Sequence, residues 1–265
     1  MGVPFDHIAQ EYDSVFTQSA IGQLQRKRVW DYLEGIMPQL NGFEILELNC
    51  GTGEDAMMFG EKGFNIVATD VSEEMLKVTQ QKIQQYSLQN KISSHYLDLD
   101  SFDETSFNKK FDLVFSNFGG VNCINPEAMS KLLEKIPSII NPGGRFIAVV
   151  LSKNCVWETF YFLLKFQFKN AFRRRTNSYV LANLNGAWAK TWYYSPRQIA
   201  KLASSSFIRA HKMPVGIALP PSYMESFFKR RSRWLHLLDR MEKRLSRFTL
   251  LCGMADHYII DLKVK

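Results

Sequence analysis

The chain has 265 residues, of which 46% are hydrophobic and 22% charged, and its 33 basic residues outnumber 26 acidic ones for a net charge of +7. That is enough for one large α/β domain with a modest insertion, in a composition typical of soluble globular proteins. The most apolar stretch, 155–168, is too short to span a bilayer and carries Glu158 and Lys165. No basic segment followed by an apolar run opens the chain, so no secretory leader and a cytoplasmic location are expected. Cys50, Cys123, Cys155 and Cys252 form no C-x-x-C pair, and five dispersed histidines add no zinc spacing. Reduced thiols and no metal follow.

The first 41 residues read as an arm, helical over 22–37 and closed by Pro38 and Gly42. From 42 to 152, short β-rich runs alternate with helical patterns, the pattern of βαβ units around a parallel sheet. Strands are predicted at 43–48, 64–69, 92–97, 111–116 and 145–151. The first is followed by a glycine turn and a helix to about 62. Ser72 is a good N-cap, and Glu73 and Glu74 suit the positive end of the helix that follows, to about 87. Asn125-Pro126 opens another, predicted to end near 141, where Pro142-Gly143-Gly144 turns into the fifth strand. Beyond it, 156–172 is predicted as one aromatic-rich helix, and Ser195-Pro196 caps another. The last two strands are predicted at 207–215 and 256–264. Between them, Pro220-Pro221 precedes a long basic helix over about 222–247, with an apolar stripe at Phe227, Trp234, Leu237, Leu238, Met241 and Leu245.

The chemistry concentrates at Glu47-Leu48-Asn49-Cys50-Gly51-Thr52-Gly53, a strand-to-helix turn. Gly51 and Gly53 let the backbone turn sharply and a ligand approach closely. The following helix directs free N–H groups into the crevice above the strand ends, where open α/β sheets bind ligands. Asp70 ends the next strand, placed to accept from both hydroxyls of a ribose. The run from Gly51 to Ala56 also fits G-x-G-x-x-A, the fingerprint of nicotinamide dinucleotides. Charge separates the two readings. A dinucleotide lays a pyrophosphate on this turn, and Glu47, Glu54 and Asp55 would repel it. S-adenosylmethionine (SAM) has no phosphate and carries an ammonium and a sulfonium, which suit an acidic turn.

With that turn, Met75 five residues after Asp70, Leu97-Asp98-Leu99, Phe111-Asp112-Leu113-Val114 with Ser116-Asn117-Phe118, and Asn141-Pro142-Gly143-Gly144-Arg145 all stand in order. The chain thereby resembles the class I SAM-dependent methyltransferases over about residues 4–152. Its Phe5-Asp6-x-x-Ala9-x-x-Tyr12-Asp13 resembles the opening segment of many that act on small molecules. The resemblance implies a doubly wound, Rossmann-like seven-stranded sheet, mostly parallel with the last strand antiparallel, bearing helical lid insertions. It implies that Asn49, Gly51 and Gly53 hold the methionyl part, with Glu47 near its amino group. Asp70 would bind the ribose, Val71 and Met75 flank the adenine, and Asp98 and the Leu99 N–H reach its polar edge. Asn117 and Phe118 would lie beside the methyl, Tyr12 would close over the donor, and Arg26 would contact its carboxylate. The product would be S-adenosylhomocysteine. Where the family usually has glycine, this chain has Asn49, a residue that tolerates left-handed backbone angles better than most.

Methyl transfer from a sulfonium needs mainly proximity and orientation. An oxygen acceptor would gain from a base, for which His257 and His7 are the candidates. The segment after the fifth strand offers an aromatic surface for a small, aromatic or lipophilic acceptor, with Trp157, Tyr161 and Tyr193 as candidate contacts and Tyr223 from the second insertion. The expected organisation is an arm over the donor site (1–41), a donor-binding core (42–152), an aromatic lid (153–194) and the C-terminal part of the sheet (195–265) with a basic helical insertion at about 216–254. That insertion either docks its apolar stripe on the domain or lies on an anionic membrane. Its charge, with Arg173-Arg174-Arg175, leaves a solvated face or an RNA partner as other readings. Ser116-Asn117-Phe118-Gly119 stands where base-modifying enzymes often carry N-P-P-[YF], so a nucleic acid is not the expected partner. An NAD(P)-dependent oxidoreductase and an RNA methyltransferase are the alternatives; oligomeric state is not legible.

Overall fold

A computed structural model describes residues 3–184, 186–228 and 231–265. Two short helical turns, Asp6–Ile8 and Asp13–Thr17, precede α1 (Ala20–Ile36). Ser19 caps α1 by accepting a hydrogen bond from the Gly22 N–H. The chain then alternates through β1 (Glu44–Glu47), α2 (Glu54–Glu61), β2 (Asn65–Asp70), α3 (Glu73–Gln85), β3 (Ile92–Tyr96), β4 (Phe111–Ser116), α4 (Pro126–Lys135) and β5 (Ile140–Leu151). Beyond β5 lie α5 (Val156–Leu164), α6 (Phe168–Ala171), β6 (Val180–Leu184), β7 (Ala187–Thr191) and α7 (Pro196–Leu202). The chain ends with β8 (Phe207–Val215), α8 (Glu225–Phe228), α9 (Ser232–Leu245) and β9 (His257–Val264).

Seven strands form one sheet in the order β3-β2-β1-β4-β5-β9-β8. The strands from β1 to β5 run parallel, and β9 is antiparallel to both β5 and β8. This is the mostly parallel seven-stranded sheet with an antiparallel last strand that the family resemblance implies. Winding outward from β1 to β3, then back to β4, places a topological switch point between β1 and β4. Every residue of β4 is buried, as befits a strand covered on both faces, whereas β3 is an edge strand with a polar Ser-Ser-His run. Side chains alternate across the sheet. Leu46 and Val114 join a core under α4 and α7, while Ile45, Leu113 and Phe115 join one under α1 and α2.

The structure corrects four expectations and adds one element. Helix α4 stops at Lys135, not near residue 141, because Pro137 cannot continue its hydrogen-bond ladder. The Pro142-Gly143-Gly144 segment lies inside β5, beside an irregularity between Phe111 and Leu113. The predicted helix 156–172 breaks after Leu164, where Phe166 takes a left-handed φ of 56°. The long helix 222–247 is divided into α8 and α9; residues 229 and 230, the start of the basic run, lie outside the described residues. Finally, β6 and β7 form an unpredicted antiparallel hairpin. The excursion after β5 begins and ends at one place, since Ser152 bridges Tyr194.

The apolar stripe of α9 docks only in part. Leu235 is buried and Leu238 partly so, in a cluster with Ile21 and Phe228, but Trp234, Leu237 and Met241 face solvent. What anchors the helix instead is Glu242. Its carboxylate accepts from the backbone N–H groups of Gly216 (2.8 Å), Ala218 (2.6 Å) and Leu219 (3.0 Å), with Ile217 at 3.4 Å.

Candidate functional site

At the carboxyl end of β1 the chain turns sharply, with Gly51 at φ 53° and Gly53 at φ 79°. A Cβ on Gly53 would lie 2.7 Å from the Thr79 methyl, so glycine is required there. Thr79 Oγ1 donates to the Gly51 carbonyl at 2.8 Å and ties the turn to α3. Asp70, at the end of β2, accepts from the Gly51 N–H (2.9 Å) and the Ser72 N–H (2.9 Å). Burial raises its carboxyl above the usual range, and these N–H groups only partly offset that.

Glu47, the last residue of β1, is wholly buried, and neither carboxylate oxygen has a hydrogen-bond partner. Burial, and then the nearby Asp55 carboxylate, raise its pKa well above 4.5; Arg26 opposes them, and Asp70 adds a smaller upward push. An unpaired buried carboxylate costs several kcal/mol, roughly, unless it is neutralised or meets a cation. The ammonium of SAM's methionyl end is such a cation, so the residues present fit that donor.

Arg26 reaches in from α1, but its Nη1 sits 2.6 Å from Asp55 Oδ2, and its Nε is buried without a partner. Asp55, which the sequence marks only as a charge on the turn, is a hub. Its Oδ1 accepts from Trp30 Nε1 (2.6 Å) and its Oδ2 also from Asn117 Nδ2 (2.8 Å). The spacing of Arg26 and Trp30, one helical turn apart, is the signal that could have found it. Glu54 likewise pairs with Lys82 at 3.1 Å. Glu54 and Asp55 are compensated, and the negative lining rests on Glu47 and Asp70.

The N-terminal arm is pinned across this turn. Thr52 Oγ1 donates to Asp13 (2.6 Å), Lys82 pairs with Asp13 (2.6 Å), and Ser72 Oγ donates to Asp6 (2.6 Å). Tyr12 packs beside Met75 with Ile8 and Ala9, and burial pushes its hydroxyl up to about 12. Val71 is half-buried immediately after Asp70.

Asn49 does not use a left-handed backbone. Among the described non-glycine residues, only Ser87, Phe118 and Phe166 have positive φ. Its side chain brackets two loops instead: Nδ2 donates to the Asn117 carbonyl (2.8 Å), and Oδ1 accepts from Ser116 Oγ. A Cβ on Gly120 would lie 1.9 Å from Asn49 Cγ, so this asparagine and that glycine require each other. Phe118, at φ 39°, holds its ring 5.1 Å from the Arg26 guanidinium and edge-on to Phe16 (5.3 Å) and His257 (5.4 Å). A non-glycine residue held there is a strained position of the kind that clusters at functional sites. Asp98 accepts from the Asp100 N–H (2.9 Å), a local turn bond, and Leu99 is buried in the main core.

His257 begins β9 opposite Leu151, which places it on the same edge of the sheet as the glycine turn. It is buried, with Nδ1 3.3 Å from Asp256 Oδ2. Burial opposes ionisation of Asp256, but His257 and Arg174 outweigh it and hold that carboxyl well below its usual range. His7 is exposed on the first helical turn of the arm. Of the aromatic candidates, Tyr161 and Tyr223 meet at 6.0 Å, whereas Trp157 donates to the Ala218 carbonyl (3.1 Å) and Tyr193 lies buried under Arg174. Arg174, for which the sequence leaves a solvated face or an RNA partner open, is buried and bridges Glu158 (2.8 Å) to Asp256 (2.8 Å).

The strand order, the antiparallel β9 and the glycine turn define the class I SAM-dependent methyltransferase fold. The methyltransferase domain family model matches residues 45–144, from β1 into β5. A demethylmenaquinone methyltransferase of Clavibacter sepedonicus is 31% identical over 143 residues, covering 54% of this chain and 54% of the relative. The match thus spans about half the length of that curated relative. Among solved structures, the CcbJ methyltransferase of Streptomyces caelestis superposes with a TM-score of 0.66 at 12% identity, covering 99% of this chain and 98% of the other. An S-adenosylmethionine-dependent methyltransferase of Mesorhizobium loti gives a TM-score of 0.56 at 15% identity, covering 88% and 96%. At these identities the structural likeness carries the fold.

Proposed function

We propose that the protein transfers a methyl group from SAM to a small lipophilic or aromatic acceptor and releases S-adenosylhomocysteine. The observation that carries this reading is the buried, partnerless carboxylate of Glu47 at the end of β1. Once it releases its proton, it pairs with a cationic donor and repels a pyrophosphate. In this reading Glu47 receives the donor's ammonium, and Asn49, Gly51 and Gly53 form the cradle of its methionyl part. Asp70 receives the ribose hydroxyls while keeping its two backbone N–H bonds. Val71 and Met75 flank the base, and Asp98 and the Leu99 N–H reach its polar edge. Asn117 and Phe118 border the methyl, and Tyr12 covers the donor from the arm. Arg26 acts through Asp55, with its Nε left for the donor's carboxylate.

SAM supplies an electrophilic methyl on sulfur, whose leaving group departs with the bonding electron pair. The protein orients the acceptor's lone pair toward that carbon. For a hydroxyl acceptor, His257 takes the proton, held by Asp256 on one side and the Phe118 ring on the other. The segment 153–194 forms the lid, with Tyr161 and Tyr223 on the acceptor side. The aromatic lid supports a lipophilic acceptor, as does the name of the Clavibacter relative.

Incubation with SAM labelled on its methyl group and a bacterial lipid extract tests this. Label is expected in an organic-phase product, with an amount that falls at least about tenfold in His257→Gln if the acceptor is a hydroxyl. Label that passes only into RNA, or no transfer alongside oxidation of NADH, overturns the reading.

A further inference from the structure

The positive charge of this protein is not spread over it. Residues 153–175 carry six basic side chains against one acid, and 222–250 carry eight against three. Together these exceed the net +7 of the whole chain, so everything else is net negative. The same two segments hold the three most exposed large apolar side chains among the described residues, Leu250, Phe166 and Leu164. At the α5–α6 corner, Phe166 is 82% exposed, with Phe160, Leu164 and Phe168 also in solvent beside Lys165 and Lys169. On α9, Trp234 is 60% exposed and shares an outward face with Leu237 and Met241, at positions i, i+3 and i+7. Arg233, Arg240 and Arg244, at i, i+7 and i+11, line one flank of that face. The acids of α9 are engaged elsewhere: Asp239 with Arg28 and Lys243, Glu242 with the backbone of 216–219. The two regions are neighbours. Trp157 of α5 packs on Phe228, which shares its cluster with Leu235 of α9, and Tyr161 meets Tyr223.

We propose that the α5–α6 corner and the outward face of α9 together form a docking surface for an anionic lipid bilayer. An apolar stripe beside a row of arginines is what a helix needs to lie in the headgroup region, with its aromatic side immersed and its guanidinium groups on lipid phosphates. Exposed aromatics on a bent corner supply a second point of insertion, and two weak anchors on one body reinforce each other. Among the described residues no helix is long and apolar enough to cross a membrane, so the contact is peripheral. Its link to acceptor delivery rests on the methyl-transfer reading above: a lipophilic acceptor dissolved in the bilayer would enter beside Tyr161 and Tyr223, between the two anchors.

Vesicles test this directly. The whole chain is expected to sediment with vesicles of phosphatidylglycerol in phosphatidylcholine and not with phosphatidylcholine alone. Replacing Arg233, Arg240 and Arg244 together by Gln removes roughly 1 kcal/mol each, so partitioning should fall on the order of a hundredfold. Phe166→Ser with Trp234→Ser should weaken it at least about tenfold. All five positions are exposed, and an unchanged urea midpoint confirms the fold. Equal sedimentation of wild type and variants, or none by the wild type, overturns the proposal. So does self-association that the same substitutions abolish, since a second copy would then cover this face. SAM titration of the same samples separates the two claims. Donor binding without vesicle binding removes only the membrane surface, and vesicle binding without donor binding removes only the methyl-transfer reading.

Discussion

Buried acids behave differently in the two halves of this molecule. On the lid side every one is answered: Glu158 by Arg173 and Arg174, Asp256 by Arg174 and His257, and Glu242 by backbone N–H groups. On the donor side Glu47 is buried just as deeply, and among the described residues it is the only acid with both oxygens buried and unpartnered. Satisfied buried charge holds a structure together, whereas unsatisfied buried charge marks a place where something else is meant to bind.

The strongest way to break this comparison is Arg174→Met, which strips one partner from Glu158 and another from Asp256. A loss of about 3–5 kcal/mol is expected from urea unfolding, with SAM affinity unchanged. Loss of donor binding without loss of stability would mean that the lid's ion pairs belong to the site.

A second test uses pH. The folded Glu47 carboxyl titrates well above its ordinary value of 4.5, so between that value and the raised one the folded chain keeps a proton that the unfolded chain has released. Stability contributed by this group therefore falls as pH rises through that window, by at most about 1.4 kcal/mol per pH unit for one proton. Asp256 and Glu158 are shifted down, so their contribution is present above the ordinary carboxylate range and is lost as pH falls through their folded values. Glu47→Gln should flatten the upper slope and leave the lower one. Unfolding midpoints measured across pH for both proteins check this.

The smallest effect sharpens the donor side itself. Gly120→Ala puts a methyl into Asn49 and should cost about 1–3 kcal/mol. Adding Asn49→Gly should return most of that loss, a coupling readable in a double-mutant cycle. Additive losses would show that the bracket between the first and fourth strand loops is not what holds Gly120 in place.

Much of the core was legible because local signals agreed. The apolar runs of β1, β2 and β4, the Ser72 cap and the Asn125-Pro126 start all point to one alternation, and the sheet follows. The glycine turn and Asp70 were legible for the same reason: left-handed φ and strand-end carboxylates leave a mark in residue type. Partnership leaves no such mark. The spacing of Arg26 and Trp30 puts two donors on one helix face, but it does not say that they meet Asp55 and leave Glu47 without a partner, or that Arg174 is the most deeply buried of three consecutive arginines. The residue type of Asn49 suggests a backbone role, whereas its amide does the bracketing. The hairpin of β6 and β7 did carry a signal, Asn185-Gly186 between two alternating runs. The aromatic surroundings obscured it. For α9, periodicity located the stripe but could not tell which face meets protein, since exposed and docked stripes share one period.

Calorimetric titration of the wild type and Glu47→Gln with SAM and with NADH bears most directly on the central claim. The wild type is expected to bind SAM and not NADH. Its SAM affinity should rise with pH as the Glu47 proton is released into buffer, and Glu47→Gln should bind on the order of a hundredfold more weakly without that proton release. NADH binding by the wild type, or SAM binding indifferent to Glu47→Gln, would contradict the assignment of this carboxylate to a cationic donor.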